Sequence, residues 1–81
     1  MYWVYILVSE KDKRTYVGYT GNLNNRLKEH NSGRVIATKN RRPFRVLFAE
    51  QFENMSDAKL RELWWKSGSG RQKLKEFFNN A

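Results

Sequence analysis

The chain has 81 residues and carries 16 lysines and arginines against 8 aspartates and glutamates, a formal charge of +8. That length leaves room for one small domain, residues 1–81, and no more; 40% hydrophobic and 15% aromatic residues exclude a disordered basic tail. Cysteine is absent, which excludes disulfide staples and every zinc site built on thiolates, and the excess of cations predicts an anionic partner.

The first element expected is a strand, Tyr2 to Val8, β-branched or aromatic almost throughout and suited to a central position buried on both faces. This longest apolar run is too short to span a bilayer and lacks the flanks of a signal peptide. The expectation is therefore a cytoplasmic protein with no membrane association; no obligate protein partner is evident in the sequence. Ser9 to Lys13 reads as a turn, and Arg14 to Thr20 as a second strand closing an antiparallel hairpin. An even-length turn puts Tyr5 and Tyr16 on one face of the sheet; an odd one separates them.

Gly21-Asn22 opens a helix from about Leu23 to Asn31, ended by Ser32-Gly33. Leu23 and Leu27 form its buried stripe, and Asn22, Arg26 and His30 a second row at the same spacing. Arg34 to Arg42 has no clear period. Pro43 then leads into a third strand, Phe44 to Phe52, in which Phe44, Val46 and Phe48 alternate with Arg45 and Leu47. Ser56 is the expected N-cap of the next helix, with Leu60, Leu63 and Trp64 recurring at helical spacing up to a break at Gly68-Ser69-Gly70. A last helix carries Leu74, Phe77 and Phe78. The predicted class is α+β, a small three-stranded antiparallel sheet flanked by helices in the order β-β-α-β-α-α.

Between His30 and Ala49 there is no acidic residue, while Arg34, Lys39, Arg41, Arg42 and Arg45 each add a positive charge. That segment is the predicted surface for neutralising nucleic-acid phosphates, with strongly salt-dependent binding.

A second constellation emerges by resemblance. Trp3-Val4-Tyr5, then Tyr16-Val17-Gly18, then Asn25-Arg26-Leu27-Lys28-Glu29-His30-Asn31 together resemble the signature of the GIY-YIG nuclease superfamily, over nearly the whole chain and nearest its short, stand-alone bacterial branch. The resemblance implies that Tyr5 and Tyr16 are the tyrosines of the two triplets, Arg26 the catalytic arginine of the first helix, and His30 a histidine one turn later. It also implies that Glu62, in Asp57-Ala58-Lys59-Leu60-Arg61-Glu62, is the metal-binding glutamate. In this chain Trp3 replaces the first glycine of the signature, and Tyr19 stands where some relatives have lysine. Thr38 or Lys39 stands near a further histidine of homing-type relatives.

These residue types suit phosphodiester hydrolysis. A single carboxylate, Glu62, can hold Mg²⁺ or Mn²⁺, because Mg²⁺ keeps several waters and takes other ligands from substrate phosphate. Arg26 offers a bidentate fork for the scissile phosphate. A tyrosine base is harder to supply, since about one phenol in a thousand is ionised at pH 7, and lowering its pKa to 7 takes roughly 4 kcal/mol. Arg26 and a metal-bound water network are the expected source, with Tyr5 favoured as base and Tyr16 positioning water or phosphate, although their order stays open in the sequence. Taken singly, each residue has a plainer use: a strand tyrosine in the core, a histidine at a helix end, and Glu62 as an ion-pair former beside Arg61 and Lys66. The expected function is a metal-dependent endonuclease acting on DNA with low sequence specificity. The alternative is a basic nucleic-acid-binding module on the same fold that does not cut.

Overall fold

In a computed structural model, which describes residues 1–79, the apolar segment Tyr2–Ser9 forms the central strand β1. It lies between β2 (Thr15–Thr20) and β3 (Phe44–Phe52), both antiparallel to it, in the order β2-β1-β3. Helix α1 (Leu23–Ser32) follows β2, a 3₁₀ turn spans Lys39–Arg41, and α2 (Met55–Lys66) and α3 (Gly68–Asn79) follow β3. The class is α+β with a three-stranded antiparallel sheet and three α-helices. β1 is buried on both faces because each face is covered by helix. Tyr5, Leu7 and Phe44 pack with Leu23 and Leu27 of α1, while Val4, Ile6 and Val17 pack with Ala58, Trp65 and Leu74 of α2 and α3.

The hairpin decides where the tyrosines point. Ser9 N donates to Arg14 O at 2.9 Å and Lys13 N to Ser9 O at 2.9 Å, so Glu10–Lys13 is an even-length loop. Tyr5 then pairs with Gly18 and Leu7 with Tyr16, which puts Tyr5 and Tyr16 on the same face, toward α1.

Four expectations are corrected. The cap of α2 is Asn54, whose side chain accepts from Asp57 N at 2.9 Å; Ser56 lies inside the helix and donates its hydroxyl to Asn54 Oδ1. The buried stripe of α2 is Ala58 and Trp65, two turns apart, leaving Leu60 and Leu63 66% and 55% exposed and Trp64 at the rim. Small Ala58 permits close approach to the sheet, and Arg61 and Trp65 both donate to Glu50 of β3, fixing the helix rotation. Gly68-Ser69-Gly70 is no break but the first turn of α3; the chain turns at Ser67, and a Cβ on Gly70 would run into Trp64 O and Trp65 Cα. In β3 the pairing shifts between Ile6↔Phe48 and Leu7↔Val46, a bulge that leaves Leu47 without an opposite residue. Phe44 and Val46 therefore face α1 while Phe48 joins the opposite core.

Candidate active site

Helix α1 begins at Asn22, whose side chain accepts from Asn25 N at 3.0 Å, and ends at Gly33 in the left-handed region (φ 84°), with its N–H directed to Glu29 O and His30 O. Its Leu23/Leu27 stripe fixes the rotation, which turns Arg26 and His30, one turn apart, onto the sheet face carrying Tyr5 and Tyr16. The Tyr5 hydroxyl is 2.9 Å from His30 Nε2, and Arg26 Nε donates to the same hydroxyl at 3.4 Å. His30 Nδ1 is 2.8 Å from Thr38 Oγ1, and Thr38 donates to Val35 O at 3.4 Å. Arginine has no acceptor, so Tyr5 accepts from it; Thr38 donates onward, so it accepts from His30 Nδ1–H. The network thereby assigns the tautomer and leaves Nε2 as the acceptor of the phenol proton.

This network is dry. Tyr5 is 1% exposed and His30 and Thr38 are 0% exposed, and Tyr16 and Phe44 hold their rings 5.1 and 6.0 Å from that of His30. Burial, with the Arg26 charge adding to it and Glu29 opposing, pulls the His30 pKa down to about 4, so the ring is neutral at pH 7. Burial also pushes the Tyr5 phenol above its ordinary value, outweighing the hydrogen bond and charge of Arg26. Of the two sources expected to lower that pKa, Arg26 by itself does not outweigh burial; its guanidinium also lies 3.1 Å from Glu29.

Gly18 is required by this arrangement, because a Cβ there would collide with the Tyr5 hydroxyl and ring. Tyr19, by contrast, packs on the opposite face and contributes nothing beside Tyr5. Thr38 is the partner that sequence reasoning did not single out as a site residue. It reaches His30 because Ser9 donates to Arg41 O at 2.6 Å and Arg41 N donates to Thr38 O, clipping the 3₁₀ turn to the hairpin. No local period signals that contact.

Glu62 is half-buried, with 14% of its side chain exposed; its Oε1 is 3.3 Å from Lys66 Nζ, and its charge bears on the Tyr5 phenol. Among the described residues no three histidine, aspartate or glutamate side chains come together. A cation that relies on waters and substrate phosphates fits one such carboxylate, whereas a metal requiring a full protein cage does not.

The five cations predicted for phosphate binding are not equivalent. Arg41 is 2.7 Å from Asp12, whose carboxyl it holds well below the ordinary range, and Arg45 is 2.8 Å from Glu10. Lys39 and Arg42 line an open hollow of about 380 Å³ together with Lys11, and Arg34 lines another with Lys28.

Two strand tyrosines meeting an arginine and a histidine from the first helix, on a three-stranded antiparallel sheet, are the arrangement that the sequence resemblance implied. Residues 1–75 match the model of the GIY-YIG catalytic domain, and the chain belongs to the GIY-YIG family of nucleases. It is similar to a UPF0213 protein of Staphylococcus haemolyticus, 43% identical over 75 residues that cover 91% of this chain and 90% of that one. A UPF0213 protein of Pediococcus acidilactici is 41% identical over 73 residues, 86% of this chain and 74% of that one. Among solved structures, the solution NMR structure of UPF0213 protein BH0048 from Bacillus halodurans is similar with a TM-score of 0.56 and 32% identity, covering 95% and 85% of the two chains. Nucleases of this family act on nucleic acid. No helix among the described residues is long and apolar enough to cross a membrane.

Proposed function

We propose that the protein is a metal-dependent endonuclease that hydrolyses phosphodiester bonds of DNA with low sequence specificity. The observation that supports this most is the buried chain Arg26–Tyr5–His30–Thr38, in which a neutral histidine offers its free nitrogen to a phenol. A preformed phenolate is then unnecessary. Oη, closed to solvent in the free protein, meets the attacking water once substrate phosphate draws the partly exposed Arg26 outward; Tyr5 then takes that water's proton as it passes its own to His30 Nε2, inside a network shielded from bulk solvent. Thr38 holds the ring in the tautomer that can accept. Tyr16, on the same face, positions the water or the phosphate, and Arg26 turns its remaining N–H groups to the phosphoryl oxygens.

Glu62 would hold Mg²⁺ or Mn²⁺, which when bound supplies charge stabilisation at the phosphoryl oxygens and the leaving alkoxide. Arg34, Lys39 and Arg42 would contact flanking phosphates, joined by Arg41 and Arg45 as their exposed ion pairs exchange for phosphate. One observation favours a binding module that does not cut: Lys66 already occupies one oxygen of Glu62.

Cleavage of supercoiled plasmid with Mg²⁺ or Mn²⁺, with and without chelator, decides between the two. Chelator-sensitive nicking by the wild type that is lost in Glu62→Ala and Tyr5→Phe supports the nuclease. Salt-sensitive binding with no nicking assigns the module instead, and equal nicking by all three proteins exposes a contaminant.

A further inference from the structure

On the far side of the sheet from the Tyr5–His30 network, an open cleft of about 770 Å³ runs between the β1–β2 hairpin and α3. Lys13 and Arg14 line one side and Arg71 and Lys75 the other, over a floor of Leu74 and Phe78. Its volume is in the range of ligand-binding clefts, and no acidic residue lines it. Arg14, Arg71 and Lys75 have no ion-pair partner among the described residues, and Lys13 is held only by a 3.4 Å surface contact to Glu10. Four cations facing one another across a cleft repel, so their placement is stabilised when a polyanion lies between them.

The position of the cleft indicates which polyanion. Thr15 belongs to its wall, and the next residue, Tyr16, points to the opposite face, into the Tyr5–His30 site. Both belong to β2, an edge strand of the sheet. A phosphodiester backbone curving round that edge therefore passes from the cleft to the site within the thickness of one strand. An acidic peptide would find the same charges but has no reason to continue to the tyrosines.

We propose that this cleft is a second phosphate-binding site, through which Arg14, Arg71 and Lys75 anchor the backbone of a nucleic acid outside the reacting segment. The proposal rests on the nucleic-acid reading above and extends the basic surface beyond Arg34–Arg45, to the opposite face of the sheet.

The test is equilibrium binding of a fluorescein-labelled DNA duplex across a salt series, in chelator and on a Glu62→Ala background, so that cleavage plays no part. Arg71→Ala/Lys75→Ala should weaken binding at low salt by about tenfold and reduce the slope of log K against log salt by nearly 2, about 0.9 per lost phosphate contact. A control with the same loss of charge, Lys59→Ala/Lys73→Ala, should move the slope by less than half as much. Circular dichroism and thermal unfolding confirm that each variant is folded; if Arg71→Ala/Lys75→Ala is not, Arg14→Ala is read by the same slope, with a change near 1. Equal slopes in the cleft and control variants would overturn the proposal, reducing the effect to net charge. Tight binding of poly-L-glutamate at matched charge, lost in the same variant, would overturn it in favour of an acidic protein partner. Plasmid nicking with no slope change sinks this site alone, whereas a cleft-dependent slope without nicking sinks the nuclease and leaves the site.

Discussion

The Tyr5 hydroxyl and His30 Nε2 lie 2.9 Å apart in a region closed to solvent, and the histidine is neutral there. Residues 25 positions apart thus form a donor and acceptor pair that can move a proton without either group carrying a charge at rest. Its consequences can be measured in stability as well as in rate.

The His30 pKa in the folded protein, about 4, lies below its ordinary 6.5. As pH falls, the unfolded chain binds this proton first. The stability associated with neutral His30 is therefore complete above about pH 6.5 and is lost as pH falls toward 4, by roughly 3 kcal/mol in all. Urea denaturation from pH 7.5 to 4 should show this slope in the wild type and a flatter one in His30→Gln. Parallel curves for the two proteins would sink the assignment.

The pH dependence of cleavage separates two uses of Tyr5. If a phenolate had to form in advance, a phenol pushed above its ordinary value by burial would make the rate climb about tenfold per pH unit from 6 to 9. With proton transfer through neutral Tyr5 to His30, the rate should be level over that range and fall only as pH approaches 4. Tyr5→Phe and His30→Ala should each cost about a hundredfold or more.

Gly18→Ala places a methyl group against Oη, Cζ and Cε2 of a tyrosine that has no room to retreat. The expected loss of stability is about 1–3 kcal/mol. Cleavage should fall further than stability, because the displaced hydroxyl loses both Arg26 and His30. Gly21→Ala is the control: its Cβ would meet only the Tyr2 ring at 3.6 Å, an ordinary contact. Urea denaturation and plasmid nicking on the two variants check both halves.

Lys66 and half-buried Glu62 pair one helical turn apart, with side chains 49% and 14% exposed. Pairs of this kind contribute about 0–1 kcal/mol, so Lys66→Ala should leave stability nearly unchanged. It should also lower the metal concentration that half-saturates cleavage, since the carboxylate is no longer shared. Glu62→Gln should reduce cleavage by about a thousandfold at any metal concentration, equivalent to several kcal/mol of charge stabilisation. Metal titrations of the nicking rate distinguish these outcomes.

The sequence by itself determined the local features: β1 as a central strand, the hairpin after it, and a helix from Leu23 that puts Arg26 and His30 on one face before Gly33 stops it. Each follows from a local signal: an unbroken β-branched and aromatic run, a polar turn between two such runs, a spacing of four, or a glycine that takes positive φ. Only the tertiary structure decided what meets that face. The even loop at Glu10–Lys13 set Tyr5 and Tyr16 side by side, and the bulge at Leu47 divided a row of apolar residues that alternation alone kept together. The clip of Ser9 on Arg41 delivered Thr38 to His30. Rotation of α2 under the hold of Glu50 buried Trp65 and left Leu60 and Leu63 in solvent. The same folding tied Arg41 and Arg45 to acids on the hairpin and brought Arg14 opposite Arg71 across a cleft. Periodicity reports how a residue sits on its own element. Which two elements touch, and in what register, depends on loop parity, bulges and buried hydrogen bonds between residues far apart in the chain, where local spacing carries no signal.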